Sequence, residues 1–74
     1  MKESLLVKSL KGHDLGRVYL VIASVNDDFI LLVDGKYRKL DNPKQKRRKH
    51  VKEIARVQLP EVLTDSAIRK ICKI

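Results

Sequence analysis

A chain of 74 residues is the size of one small domain and buries only about 60% of its unfolded surface, which excludes a deep, enclosed active site. Its 43% hydrophobic content supports a folded core despite 35% charged residues, so the composition is not that of a disordered chain. The net charge of +8 bears on partners rather than on fold and points to a polyanion: RNA, DNA or an anionic membrane surface. A membrane surface also requires an apolar face beside the charge, and the basic run has none.

In chain order, residues 5–10 read as a first short strand. Lys8 interrupts the apolar run Leu5-Leu6-Val7, which is too short for the apolar region of a signal peptide. No stretch is long enough to span a bilayer as a helix. A cytoplasmic protein is therefore expected. Residues 11–16 form a turn in which Gly12 and Gly16 can take positive φ. Residues 17–25 are almost continuously apolar, as in a strand at the centre of a small barrel. Asn26-Asp27-Asp28 is a loop, and residues 29–33 are a second apolar strand.

Asp34-Gly35 predicts a type I′ hairpin turn, which requires positive φ at both positions. A third strand over residues 36–40 then completes an antiparallel meander. Pro43 lacks an N–H and ends that strand. Residues 44–50 read as a basic loop or short helical turn. Residues 51–59 fit a strand that closes the sheet at least as well as a helix, and Pro60 ends them. Thr64 can cap a final helix, with Asp65 in its first turn. Leu63, Ala67, Ile68, Ile71 and Cys72 share one face of that helix. One domain is expected, with residues 1–60 forming its body and residues 61–74 a helical extension.

The charge is unevenly placed. Residues 1–35 carry four basic and five acidic side chains, residues 36–56 carry ten and two, and residues 57–74 carry three and two. The excess therefore lies in the middle segment. Lys44, Lys46, Arg47, Arg48 and Lys49 place five cations in six residues, with Lys52 and Arg56 beyond. Crowding them costs free energy, which phosphate offsets by pairing with them and releasing counterions. A solvated loop is the plain alternative, although solubilising surfaces usually mix both signs. A localisation tag is another, but the run lies between two expected strands.

Among the three aromatics, Tyr19 and Phe29 are expected in the core. Tyr37, between Lys36 and Arg38, is either core or a surface ring for base stacking. Backbone and shape recognition are expected over base-by-base readout. No catalytic residues, metal ligands or cofactor site emerge. His13 and Asp14 are adjacent but His50 is remote, no serine sits in a nucleophile elbow, and no histidines have ligand spacing. Cys72, the single cysteine, has no partner for a disulfide or a zinc site.

Residues 9–21, with Gly12, Asp14 and Gly16 followed by Arg17 and an apolar strand, resemble the KOW motif. Residues 33–40, followed by Asn42-Pro43-Lys44 and the basic run, are similar to the branch of KOW-domain RNA-binding proteins related to a large-subunit ribosomal protein. The resemblance spans residues 5–56. It implies a mainly β fold, a small SH3-like β-barrel, here with a short C-terminal α-helix, that binds ribosomal RNA. By position it implies that Gly12, Asp14, Gly16, Asp34 and Gly35 shape turns. Lys11 and His13 lie near the RNA-facing loop, Arg17 begins the second strand, Lys36, Arg38 and Lys39 match a basic hairpin, and Lys44, Lys46, Arg47, Arg48, Lys49 and His50 match the basic loop. Arg17, Tyr37 and Lys52 are expected RNA contacts from their own charge or ring. Leu15 departs from the basic residue that the family often has there.

The expected function is non-enzymatic RNA binding, associated with the ribosome. The alternative is a protein-interaction module in ribosome assembly or transcription, contacting ribosomal or assembly proteins through the C-terminal helix. A duplex DNA binder rests on charge alone.

Overall fold

The computed structural model describes residues 3–73. It is mainly β. The strands are β1 (Glu3–Ser9), β2 (Val18–Ser24), β3 (Phe29–Val33), β4 (Lys44–Arg47) and β5 (Val51–Gln58). A 3-10 turn, Arg48–His50, joins β4 to β5, and one helix, α1 (Asp65–Ile71), follows. The sheet is antiparallel, in the order β4-β3-β2-β1-β5.

The nearly unbroken apolar runs of β1, β2 and β3 arise because both faces of the sheet are covered. Alternate residues on a strand point to opposite faces. Leu6, Leu20 and Val33 form one buried cluster with Ile68 of α1. Their neighbours Val7, Tyr19 and Leu32 form a second cluster with Ile30. Truncating Leu6 or Leu20 to alanine is expected to cost about 2–5 kcal/mol.

Two irregularities bend the sheet. Between β1 and β5, the pair Leu6↔Ala55 is followed by Val7↔Glu53, so Ile54 is the extra residue and is exposed. Between β2 and β3, Val21↔Leu32 is followed by Ala23↔Leu31, so Ile22 is extra. Such bulges increase local twist and bending. The edge strands β4 and β5 are consecutive in the chain, so the turn Arg48–His50 brings the two edges together at one corner.

The expected strand over residues 36–40 is absent, and the fourth position in the sheet belongs to the basic tract. Gly35 has φ of 79°, but no described residue other than glycine has positive φ, so Asp34-Gly35 is not a type I′ turn. Instead Asp34 Oδ1 accepts from the N–H groups of Lys36 (2.9 Å), Tyr37 (2.9 Å) and Arg38 (2.8 Å). Those donors are consumed locally, the usual way an aspartate diverts backbone from a sheet. The Leu40 N–H donates to Asp65 Oδ1 at 2.8 Å, tying the segment to α1. The free edge of β3 still needs partners, and β4 supplies them, with Ile30 opposite Lys46 and Phe29 opposite Arg47.

The helix forms as its sequence predicts. Thr64 Oγ1 accepts from the Ala67 N–H at 3.1 Å, and Asp65 stands in the first turn. Ile68 is fully buried, and Leu63, Ile71 and Cys72 pack against the same cluster. The apolar face of α1 is thus turned into the core, and Ser66, Arg69 and Lys70 are exposed.

Candidate nucleic-acid interface

The β1–β2 connection is closed by its own backbone. The Ser9 N–H donates to the Arg17 carbonyl and the Gly16 N–H to the Ser9 carbonyl, both at 2.9 Å. Gly12 and Gly16 have φ of 93° and 88°, values that side chains with a Cβ rarely adopt. The closed loop turns Asp14 inward, where its carboxylate is buried.

A buried carboxylate is costly unless it is paired and hydrogen-bonded, and Asp14 has four donors. Oδ1 accepts from Lys46 Nζ at 2.7 Å and Ser9 Oγ at 2.8 Å. Oδ2 accepts from Lys44 Nζ at 2.9 Å and the Tyr19 hydroxyl at 3.0 Å. Lys46 Nζ also donates to the Lys11 carbonyl at 2.9 Å. Burial alone would raise the Asp14 pKa. The hydrogen bonds from Lys44, Lys46, Ser9 and Tyr19 outweigh it and hold the carboxyl well below the usual range. Burial, followed by the bond to Asp14, pushes Tyr19 up to about 12. Asp14 is therefore more than a turn residue: it pins the loop, β2 and β4 together.

This network divides the basic tract. Lys46, expected to face RNA, is only 9% exposed, and its ammonium is paired with Asp14 within the protein. Lys44 makes the same commitment but stays partly accessible. Alternation along β4 sends Gln45 and Arg47 outward. Arg47 Cζ lies 5.1 Å from the centroid of the Phe29 ring, and Phe29, expected in the core, is only half-buried beneath that guanidinium. The Arg48 N–H donates to the Asp28 carbonyl at 2.8 Å, and its guanidinium reaches Ser24 Oγ. Lys49 and Lys52 are exposed.

A groove of about 430 Å³ runs along this surface, lined by Lys11, Gly12, Phe29, the four residues of β4 and His50. Desolvation first, and then the charges of Lys11, Lys49, Arg47 and Lys46, lower the pKa of His50. Lys11, Lys49, Arg47 and Lys46 thus place positive charge around the imidazole. Ion pairs among the described residues are Lys44–Asp14, Lys46–Asp14 and Arg56–Glu3. None of them neutralises Lys11, Arg47, Arg48, Lys49 or Lys52.

A second groove, of about 420 Å³, lies between the Asp34 turn and α1, lined by Arg17, Val18, Asp34, Lys36, Tyr37, Arg69, Cys72 and Lys73. Tyr37 is 60% exposed. Arg17 Cζ is 4.3 Å and Lys36 Nζ 5.1 Å from its ring centroid. Arg69 and Lys73 join this site although they lie far from the basic tract in sequence. Their signal was the cationic end of α1, which is equally explained by the helix dipole. His13, Arg38, Lys39, Arg48, Lys49 and Lys52 line neither groove.

No protein-family profile and no curated protein matches the chain. The functional reading therefore rests on the residues themselves.

Proposed function

We propose that the protein is a non-enzymatic, cytoplasmic RNA-binding module associated with the ribosome. In this reading it is a small SH3-like barrel of the KOW type that engages structured RNA, ribosomal RNA foremost, through β4, the Arg48–His50 turn and the β1–β2 loop. The observation that carries the reading is the division of the basic tract. Lys44 and Lys46 are anchored on Asp14, while Arg47, Arg48 and Lys49 stand exposed on the same short strand and turn. A merely solubilising run has no need of so fixed a scaffold.

The barrel reading is supported by two bulges and by edge strands joined through three residues. The KOW reading is supported by the physical role of its motif residues: two glycines at positive φ and an acid between them that organises the loop. Phosphates would pair with the exposed cations and release counterions. Arginines hold phosphate through paired hydrogen bonds and lysines act as point charges. Recognition is then of backbone and shape.

The test is binding of an RNA hairpin across a potassium chloride series, with the intact chain and with an Arg47→Gln/Arg48→Gln/Lys49→Gln variant. Affinity is expected to fall linearly on logarithmic axes, and the variant to lose roughly two to three units of slope. Affinity that ignores salt, or a variant that binds as the parent does, refutes the proposal.

A further inference from the structure

We propose that the groove between the Asp34 turn and α1 holds one unpaired RNA nucleotide, its base stacked on Tyr37 and its phosphate held by Arg69 and Lys73. This inference rests on the RNA-binding function proposed above and adds a second, chemically different contact to it.

Tyr37 is a large ring left 60% exposed in a chain with three aromatics. Its backbone is nevertheless held. Its N–H donates to Asp34 Oδ1 at 2.9 Å. The neighbouring Gly35 lies so close to α1 that an added Cβ would stand 2.7 Å from the Arg69 nitrogen. A ring on a rigid turn loses little freedom when something stacks on it, and base stacking on an exposed aromatic needs no particular base.

The surroundings define the remainder of the ligand. Arg17, Lys36, Arg69 and Lys73 bring four cations to the groove from three separate parts of the chain. The one acid in the lining, Asp34, has Oδ1 engaged with three backbone N–H groups. Val18 and Cys72 add apolar surface. The volume of about 420 Å³ falls within the roughly 300–1,000 Å³ typical of small-ligand clefts. A planar apolar group joined to an anion fits this combination, stacking on the exposed part of a ring that already carries Arg17 and Lys36, whereas a bare phosphate would engage the cations alone. Duplex RNA keeps its base faces stacked inside the helix, so the base must be unpaired.

The experiment compares the full chain's affinity for two RNA hairpins with the same stem, one blunt and one carrying a three-adenosine 3′ overhang. The overhang is expected to tighten binding about tenfold. Tyr37→Ala should abolish that gain and Tyr37→Phe retain it, while R69Q/K73Q should reduce it. All three positions are exposed, and an unchanged unfolding midpoint verifies that the variants fold. Equal affinity for the two hairpins, or a gain that survives Tyr37→Ala, overturns the inference. If the blunt hairpin binds and the overhang adds nothing, only this inference falls. If neither hairpin binds, the RNA-binding reading falls with it.

Discussion

The Lys46 ammonium sits 2.7 Å from Asp14 Oδ1, with both side chains buried under a surface that is otherwise cationic. The contact spans 32 positions of sequence. It turns one member of a charged run from a ligand-facing group into a structural pin. Removing one partner of a buried pair leaves the other charge uncompensated, and that loss exceeds the net value of the pair itself.

Asp14→Asn is therefore expected to cost about 3–5 kcal/mol, a large part of the stability of a domain this small. Lys46→Met should cost less, because Lys44, Ser9 and Tyr19 still satisfy the carboxylate. Urea unfolding midpoints measure both. An Asp14→Asn midpoint equal to that of the parent contradicts the structural role.

The same carboxyl predicts an acid limb. Its folded pKa is depressed below the ordinary value, about 3.9 in an unfolded chain. Its contribution is therefore present above that unfolded value and is lost as pH falls through the folded one. Between pH 5 and 2, the stability advantage of the parent over Asp14→Asn should shrink steadily. A difference that stays constant across this range would show that Asp14 does not titrate as described.

Phosphate binding should act on His50 in the opposite direction to its protein surroundings. The pKa of His50 is lowered by desolvation and then by Lys11, Lys49, Arg47 and Lys46. RNA phosphates paired with Lys11, Lys49 and Arg47 would offset their repulsion and raise it. The His50 ring proton, followed by NMR with and without an RNA hairpin, should titrate at higher pH in the complex. RNA affinity should then strengthen as pH falls through the interval between the pKa of His50 in the complex and its lower pKa in the free protein. A resonance that titrates identically in both states places the RNA elsewhere.

Gly35 and Gly16 separate two costs that one residue type hides. Both have positive φ, 79° and 88°. A Cβ on Gly16 meets nothing within 4 Å, whereas on Gly35 it meets the backbone of Asp65 and Arg69. Gly16→Ala should cost about 1–2 kcal/mol for the left-handed conformation alone. Gly35→Ala should cost clearly more, because α1 must move and Ile68 leaves the core with it. Equal unfolding midpoints for the two variants contradict this packing.

The strands most easily read from sequence were those buried on both faces. The runs at β2 and β3 leave no alternative to a covered strand, and Thr64 with Asp65 announces the start of α1. Residues 36–40 misled because Asp-Gly is a strong hairpin signal. The outcome depended on Asp34 capping three N–H groups and on α1 pressing against Gly35, and the second of these is a contact with Asp65 and Arg69, far away in sequence. Strand β4 was hidden for a related reason. A run of Lys, Gln and Arg carries no apolar alternation, and Lys46 behaves as an inward residue only because Asp14 waits across the sheet. The exposed part of the charged site was legible from composition. Its division into anchored and free cations, and the arrival of Arg69 and Lys73 beside Tyr37, required tertiary structure.

The three-residue turn Arg48–His50 has one more consequence. It joins the two outer strands among the exposed cations Arg47, Arg48, Lys49 and Lys52, so in the bare protein that corner is held against like-charge repulsion. A polyanion that relieved this repulsion would steady the same corner, so binding and local rigidity would be linked. Amide hydrogens of β4 and of the first residues of β5 should then exchange fastest among the strands in the free protein. They should slow most when RNA is added, and the RNA concentration that protects them should match the one that raises the melting temperature.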